Sequence, residues 1–92
     1  MQSAEFESTL KKEGFDEILT KELPANMNNE PHAHDFDVRS LVVSGEIALI
    51  VDGVRQTYRA GQEFKMQAGC RHQESVGPEG VKYIVGRRRR RA

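Results

Sequence analysis

The sequence predicts an all-β domain, a barrel or sandwich with one short N-terminal helix. From Pro31 onward, short apolar segments alternate with turn signals at close intervals, a pattern typical of antiparallel strands rather than of alternating strands and helices. The dipeptide Asp52-Gly53 between two apolar segments is the strongest short-range signal for a β-hairpin. The 92 residues fit a single domain and contain no internal repeat.

The predicted helix covers residues 4–13. Ser3 is a candidate N-cap, acidic residues lie in the first turn and lysines in the last, and Gly14 gives a C-terminal stop. Phe6 and Leu10 are four residues apart and therefore form one apolar stripe. We expect the helix to pack on the sheet through this stripe.

The strands are predicted as segments rich in Val, Ile, Leu and aromatic residues. The longest segment is interrupted at Ser44-Gly45, and the sequence Gly-Pro-Glu-Gly at residues 77–80 predicts a turn before the last strand. The predicted strand segments are residues 15–23, 39–51, 54–58, 64–66, 71–76 and 81–85.

The formal net charge is zero, but five of the fourteen basic residues form the arginine run 87–91. Such a run can bind nucleic acid or an anionic surface. Because no aromatic residues or folded basic face accompany it, a disordered, solvated tail is the favoured interpretation, and a nucleic-acid partner is not expected. The predicted organisation is a helix and strand at 1–30 packing on the barrel, a barrel core at 31–86 and a basic tail at 87–92.

Several protein classes are disfavoured by composition. No apolar run approaches the roughly 20 residues of a membrane-spanning helix. The first ten residues contain Glu5 and Glu7 and lack the apolar core of a signal peptide. Cys70 is the single cysteine, so no internal disulfide can form. We therefore expect a cytoplasmic protein without a membrane partner.

The three histidines are the candidate metal ligands. In an extended strand side chains repeat with a period of two, so His32 and His34 project from one face. If His72 lies beside them, three imidazole nitrogens cap one side of a divalent transition ion and leave positions open for water or substrate. The alternative is that the histidines make core hydrogen bonds or line an empty pocket.

The spacing of His32, His34 and Gly45 resembles the first motif of the cupin family. In that motif two histidines one residue apart are followed, after three or four residues, by a glutamate and, six residues later, by a glycine. Here the glutamate position is occupied by Val38, or by Arg39 if the longer spacer applies. The chain therefore departs from the family at a position that the resemblance implies is a metal ligand.

The second cupin motif is matched by Gly61, Gly69 and His72 at the family's spacing. Gln67 replaces the proline of this motif and Val76 replaces its asparagine. The two motifs occur in the family's order with the expected hairpin between them, and the resemblance covers about residues 31–85. The chain is thus similar to a small single-domain cupin, which implies an RmlC-like jelly-roll β-barrel.

The resemblance implies a divalent transition metal ion inside the barrel, with Zn, Fe, Ni, Cu and Mn as candidates. Without the motif glutamate, one negative charge is missing, which favours Zn, Cu, Ni or Fe over the harder Mn. The function expected is a metal-dependent enzyme acting on a small polar organic molecule. The alternative is a non-enzymatic module that binds or senses a metal or a small molecule, since the fold alone does not specify chemistry.

Four other residues are candidates for the site. Glu74 lies two residues after His72 on the same strand face and is the first choice as general base, with a role as metal ligand as the alternative. Asp37 is a candidate for substrate binding or for a metal ligand in place of the missing glutamate, with an ordinary surface acid as the alternative; it lies near that position but on the opposite strand parity, and needs a bulge to point inward. Arg39 would bind an anionic substrate if it faces inward. The thiol of Cys70 is either a ligand or a small turn residue.

We also expect a homodimer. Val42, Ile47 and Leu49 alternate with other apolar residues, including Leu41 and Val43, so part of the sheet is apolar on both faces. One short helix is too small to cover the second face. Sheet-against-sheet dimerisation is the arrangement that the cupin resemblance implies.

Overall fold

The computed structural model describes residues 2–89. One helix and five strands make up this part of the chain, as the sequence predicts for an all-β domain. The elements are α1 (Ser3–Lys12), β1 (Glu17–Leu23), β2 (Phe36–Val51), β3 (Val54–Arg59), β4 (Glu63–Met66) and β5 (Gln73–Arg89). Within residues 2–89, no helix has the length and apolar character needed to cross a membrane.

The strands form one antiparallel sheet in the order β1-β5-β2-β3, with β4 also paired to β2. The two long strands β2 and β5 pair with each other along most of their length, and β2 changes register between Val42 and Ser44 and again between Gly45 and Ile47. The first half of β2 pairs with β4, and its second half pairs with β3. Bent at these irregularities, the sheet curls into a jelly roll.

The two predicted interruptions lie inside strands rather than between them. The predicted turn 77–80 is part of β5, which has extra residues there relative to β2. Asn26 donates its backbone N–H to the carbonyl oxygen of Gly77 over 3.0 Å, so a neighbouring loop pairs with the bulged backbone. Glycine and proline are tolerated at a bulge, which explains why turn residues occur within this strand.

The apolar core lies between the two halves of the curled sheet. The ring centroids of Tyr58 and Phe64 are 5.4 Å apart, and those of Phe64 and Tyr83 are 5.7 Å apart, so aromatic contacts connect β3, β4 and β5. The buried residues of this cluster are Val38, Val42, Ile47, Leu49, Phe64, Val76, Val81, Tyr83 and Val85. They are the inward-facing residues of the alternating pattern.

Helix α1 packs on the outer face of the sheet. Phe6 and Leu10 are fully buried and form a second apolar cluster with Phe15, Leu41 and Ile84. The predicted apolar stripe is therefore the packing surface.

The helix ends largely as the sequence predicts. The predicted N-cap Ser3 is instead the first helical residue, and Gln2 occupies the cap position without a side-chain capping hydrogen bond. Gly14, the predicted stop, has a φ of +84°, a conformation that glycine adopts without strain.

The second apolar face is partly covered by this helix. Leu41 and Ile84 are buried under α1, whereas Val43 keeps 37% of its surface exposed. The helix thus covers more of the sheet than we expected, and the area left for a partner is smaller. The homodimer stays a prediction.

The arginine run is not a separate tail over its first three residues. Arg87, Arg88 and Arg89 belong to β5 and pair with β2, and Arg87 also pairs with Glu17 of β1. Backbone pairing with β2 and ion pairs with Glu17, Asp37 and Asp35 fix this segment in the sheet. The prediction of a disordered tail is therefore wrong for these residues; Arg90 and Arg91 lie outside the described residues.

Candidate metal centre

His32 and His72 are brought together by backbone pairing. They form an isolated antiparallel bridge in which each N–H donates to the other's carbonyl oxygen over 2.8 Å. Their ring centroids are 4.4 Å apart. The segment before β2 therefore lies directly beside the start of β5, which places the two histidine motifs side by side.

His34 completes the cluster from the end of the same segment. Its carbonyl oxygen accepts a hydrogen bond of 2.8 Å from the N–H of Gly69, so the turn before His72 also fixes the backbone of His34. The ring of His34 stacks on Phe36 at a centroid distance of 4.7 Å and lies 5.3 Å from the ring of His72. One candidate ligand nitrogen from each of the three histidines lies within 4.8 Å of the others.

The tautomers of two histidines follow from their partners. Nδ1 of His32 lies 2.9 Å from the carbonyl oxygen of Glu30, and Nδ1 of His72 lies 3.1 Å from that of Cys70. Because a carbonyl oxygen only accepts, each Nδ1 carries the hydrogen and donates it. In the neutral form of each ring, Nε2 then carries the lone pair, as in a metal-binding histidine. Nε2 of His72 is buried without a hydrogen-bond partner.

Glu74 lies against this cluster. Its Oε1 is 3.3 Å from Nε2 of His32 and 3.7 Å from Nε2 of His72. Asn29 fixes it on both sides, since its Nδ2 donates to Oε1 over 3.1 Å and its Oδ1 accepts from the N–H of Glu74 over 2.7 Å. Two nitrogen lone pairs and a carboxylate oxygen thus converge, an arrangement that favours a cation between them.

The charge state of His34 is shifted by its surroundings. Burial, reinforced by the neighbouring His32 and His72, lowers the pKa of His34 below its ordinary value of 6.5. Desolvation disfavours the charged imidazolium, and adjacent histidines add repulsion when they are protonated. The neutral form, which is the form that binds metals, is therefore favoured.

The histidines line a cavity of about 210 Å³ inside the jelly roll. Its walls include Val38, Ser40, Tyr83 and Arg87. Burial, together with the charge of Glu74, raises the pKa of Tyr83 to about 12, so its hydroxyl stays protonated at neutral pH. This volume is below the roughly 300–1,000 Å³ of pockets for drug-sized ligands, so the cavity suits a small molecule.

The structure places Arg39 and Asp37 outside the lining of this cavity, so the expected inward orientation is not seen; a role in substrate binding stays a prediction for both. Val38 faces the cavity, so its neighbours on β2 point to the outer face. Arg39 pairs there with Glu13 at 2.5 Å and with Glu63 at 2.9 Å. Asp37 accepts a hydrogen bond of 2.8 Å from the N–H of Ala68. Strand parity decides both positions, and no bulge reverses it at Asp37.

The structure also shows where Val38 and Cys70 lie relative to the cavity. Val38 occupies the inward position of the family glutamate, so no carboxylate enters the cavity at that point of β2. The thiol of Cys70 lies outside the histidine group, 4.0 Å from the carbonyl oxygen of Arg71. Of the alternatives for Cys70, the turn residue agrees with the geometry.

Several residues of the cavity are not predicted from the sequence, among them Arg87, Ser40 and Asn29. Arg87 and Ser40 share the inward parity of their strands and are detectable by extending the alternation of Val85 and Val38. Asn29 lies in a polar turn, where its sequence context gives no signal that it contacts Glu74.

No protein-family model and no curated protein sequence matches the chain. Among solved structures, the chain is similar to an RmlC-like cupin from Shewanella frigidimarina, with 27% identity, 80% of this chain and 66% of that chain covered, and a TM-score of 0.66. A cupin protein from Bacteroides fragilis is 17% identical, with 78% of this chain and 64% of that chain covered and a TM-score of 0.66.

An oxalate decarboxylase from Lactobacillus farciminis, in complex with formate, is 16% identical, with 78% of this chain and 23% of that chain covered and a TM-score of 0.69. At these sequence identities, the likeness to the decarboxylase and to the Bacteroides protein shows the fold alone. The chain spans about two thirds of the two cupin structures and about a quarter of the decarboxylase. The jelly roll, together with its alignment over 80% of the chain with an RmlC-like cupin, places this protein in the cupin superfamily.

Proposed function

We propose that the protein binds a divalent transition-metal ion through His32, His34 and His72. The observation that supports the proposal most strongly is the convergence of their ring nitrogens within 4.8 Å. Hydrogen bonds at Nδ1 of His32 and His72 already select the tautomer that presents Nε2. The donor set fits Zn, Fe, Ni or Cu, which accept imidazole nitrogen.

Glu74 supplies the negative charge that is missing at Val38. Its Oε1 is near Nε2 of both His32 and His72, and Asn29 keeps it there. In this position the carboxylate offsets the charge of the ion and can accept a proton from a water or ligand beside it. A bound ion would supply Lewis acidity, while the chain positions the ligand and receives its proton.

A metal-dependent enzyme acting on a small polar organic molecule is the function that we favour. A base beside the three histidines and a cavity open to small molecules support it. The oxalate decarboxylase from Lactobacillus farciminis has the same fold and is named as an enzyme. A non-enzymatic binding module would return its ligand unchanged, so proton NMR of the zinc-loaded protein with small organic molecules separates the two functions.

The test of metal binding is elemental analysis of protein purified without chelator, followed by zinc titration. We expect about one ion per chain in the wild type, retention in Cys70→Ser and loss in His34→Ala and His72→Ala. Glu74→Gln keeps the site but is expected to lower zinc affinity about tenfold or more, the range seen when the partners of metal ligands are removed.

Circular dichroism checks that each variant is folded, and two histidine variants are used so that one folding defect does not decide the result. The proposal would be contradicted if the purified wild type contains no metal and its zinc titration is indistinguishable from those of His34→Ala and His72→Ala. Loss of metal in Cys70→Ser would move the site toward the thiol.

A further inference from the structure

The buried polar atoms without hydrogen-bond partners are grouped in one place. Among residues 2–89 there are three such side-chain atoms: Oγ of Ser40, Nε2 of His72 and Nε of Arg87. All three residues line the histidine cavity. Buried polar groups in native proteins are normally hydrogen-bonded, so such a group indicates an additional binding partner or water. The proposed metal would account for Nε2 of His72, which leaves the hydroxyl of Ser40 and the guanidinium of Arg87.

Arg87 lies close to the metal centre. Its guanidinium carbon is 5.0 Å from the centroid of the Phe36 ring, and the ring of His34 stacks on the same Phe36 at 4.7 Å. One nitrogen, Nη1, pairs with Glu17 at 3.0 Å, which anchors the side chain. Nε remains buried and unpaired. An arginine nitrogen only donates, so the missing partner is an acceptor.

Ser40 is on the same inner surface as Arg87. In the pairing of β2 with β5, Val38 is opposite Arg87 and Ser40 is opposite Val85. Ser40 and Arg87 are therefore diagonal neighbours, a relation that allows contact through a long side chain or a shared ligand. Ser40 is 0% exposed, so its hydroxyl has no access to bulk water.

The lining of the cavity carries charges of both signs. Among its described lining residues, Glu74 is the one carboxylate, and it lies with the histidines. The cations of the lining are Arg87 and Lys21, which is opposite Tyr83 at the pairing of β1 with β5. These cations, together with the hydroxyl of Ser40, offer donors and positive charge to an anionic group in the cavity.

We propose that the cavity binds a small organic carboxylate, whose anionic group accepts hydrogen bonds from Arg87 and Ser40. A carboxylate matches the fork of an arginine and accepts from a hydroxyl at the same time. The cavity of about 210 Å³ leaves room for a short carbon chain directed toward the histidines. The inference that this carboxylate is the substrate of the metal centre rests on the proposed function. Its binding to Arg87 and Ser40 does not depend on that function.

The probe is propionate, compared with propionamide, which has the same shape without the charge. Binding is measured by NMR titration of the metal-free protein at pH 8, because a bound metal would itself attract carboxylates. The variants are Arg87→Met and Ser40→Ala. The matched control is Arg89→Met, since Arg89 is two residues away on β5 but has 71% of its side chain exposed and pairs with Asp35.

We expect propionate to shift cavity resonances and propionamide to bind at least about tenfold more weakly. Arg87→Met should weaken propionate binding about 10- to 100-fold, as expected for a charge-assisted hydrogen bond, and Ser40→Ala about 3- to 10-fold. Arg89→Met should bind like the wild type. Arg87→Lys, which keeps the charge without the fork, should be intermediate and replaces Arg87→Met if that variant does not fold.

The inference is overturned if propionate and propionamide bind equally, if Arg87→Met and Ser40→Ala bind like the wild type, or if Arg89→Met weakens binding as much as Arg87→Met. Zinc binding by the same variants separates this result from the metal proposal. If Arg87→Met still binds zinc but no longer binds propionate, the carboxylate site is supported. If the wild type binds propionate but no zinc, only the metal proposal is contradicted.

Discussion

His32 and His72 are directly paired, each donating its backbone N–H to the other's carbonyl oxygen over 2.8 Å. This bridge joins the segment before β2 to the segment before β5 and places the two rings 4.4 Å apart. The backbone thus orients two of the three candidate ligands before any ion binds. A centre fixed in this way needs little rearrangement to bind metal, which is the condition for a tight site.

The first prediction is that zinc stabilises the protein against heat. A ligand that binds the folded state alone at about 100 times its Kd adds about 2.7 kcal/mol. For a domain of this size, that corresponds to a rise in Tm of about 10 °C or more. We expect the rise in wild type by differential scanning calorimetry and its reversal by a chelator. An equal Tm shift in His72→Ala would mean that zinc acts elsewhere.

The second prediction concerns acid stability and the Glu13–Arg39 pair. The hydrogen bond from Arg39 holds the pKa of Glu13 below its ordinary value of 4.5. The unfolded chain therefore binds a proton at a higher pH than the folded chain, so the contribution of Glu13 is present above pH 4.5 and is lost as the pH falls below it.

Glu13→Gln removes this titration, and its free energy of unfolding should fall less steeply below pH 4.5 than that of the wild type. Urea unfolding at a series of pH values gives both slopes. Arg39→Met, which removes the cation, should flatten the same part of the profile. Parallel wild-type and Glu13→Gln profiles would show that the pair makes no pH-dependent contribution.

The sequence predicted the fold well because its signals are local. The hairpin at Asp52-Gly53 and the alternation of apolar residues each depend on a few neighbouring positions. The interruptions at Ser44-Gly45 and at 77–80 are harder to interpret, because the same residue types occur both in turns between strands and in bulges within a strand. Only the pairing of Gly45 with Val81 in the folded sheet distinguishes the two.

Only part of the candidate site could be predicted from the sequence, because the signals differ in how far they depend on the fold. The histidines and Glu74 stood out because their residue types are chemically distinctive. Arg39 is a candidate because the sequence leaves the parity of β2 undecided, whereas the arginine run 87–91 favours a solvated tail and conceals an inward-facing member, Arg87. Whether an arginine enters a cavity depends on long-range strand register, which a single sequence does not supply.

The third prediction tests the packing of α1 on the sheet. Leu10 is fully buried, and a Cβ atom built on Gly86 would lie 2.9 Å from its side chain, so the leucine lies directly on the glycine backbone. Leu10→Ala should lower the free energy of unfolding by about 2–5 kcal/mol. The control Leu19→Ala, at a site 38% exposed, should cost less than about 1 kcal/mol. Equal costs in urea unfolding would show that the helix does not pack as described.

The fourth prediction compares two glycines with similar backbone conformation and different surroundings. Gly45 has a φ of +75° and Gly53 a φ of +78°. A Cβ atom at Gly45 would lie 2.0 Å from the carbonyl oxygen of Gly80, whereas one at Gly53 has nothing within 4 Å. Both alanine variants bear the strain of a positive φ, about 1–2 kcal/mol, and Gly45→Ala must also displace the backbone of β5.

We therefore expect Gly53→Ala to cost about 1–2 kcal/mol and Gly45→Ala about 2–5 kcal/mol in urea unfolding. The difference between them measures the close approach of β2 and β5 at the bend, separately from the conformational preference of glycine. Because this approach aligns the two halves of the jelly roll, Gly45→Ala should also weaken zinc binding, while Gly53→Ala should not. If the two variants lose equal stability and bind zinc alike, Gly45 is required for its positive φ rather than for the close contact between β2 and β5.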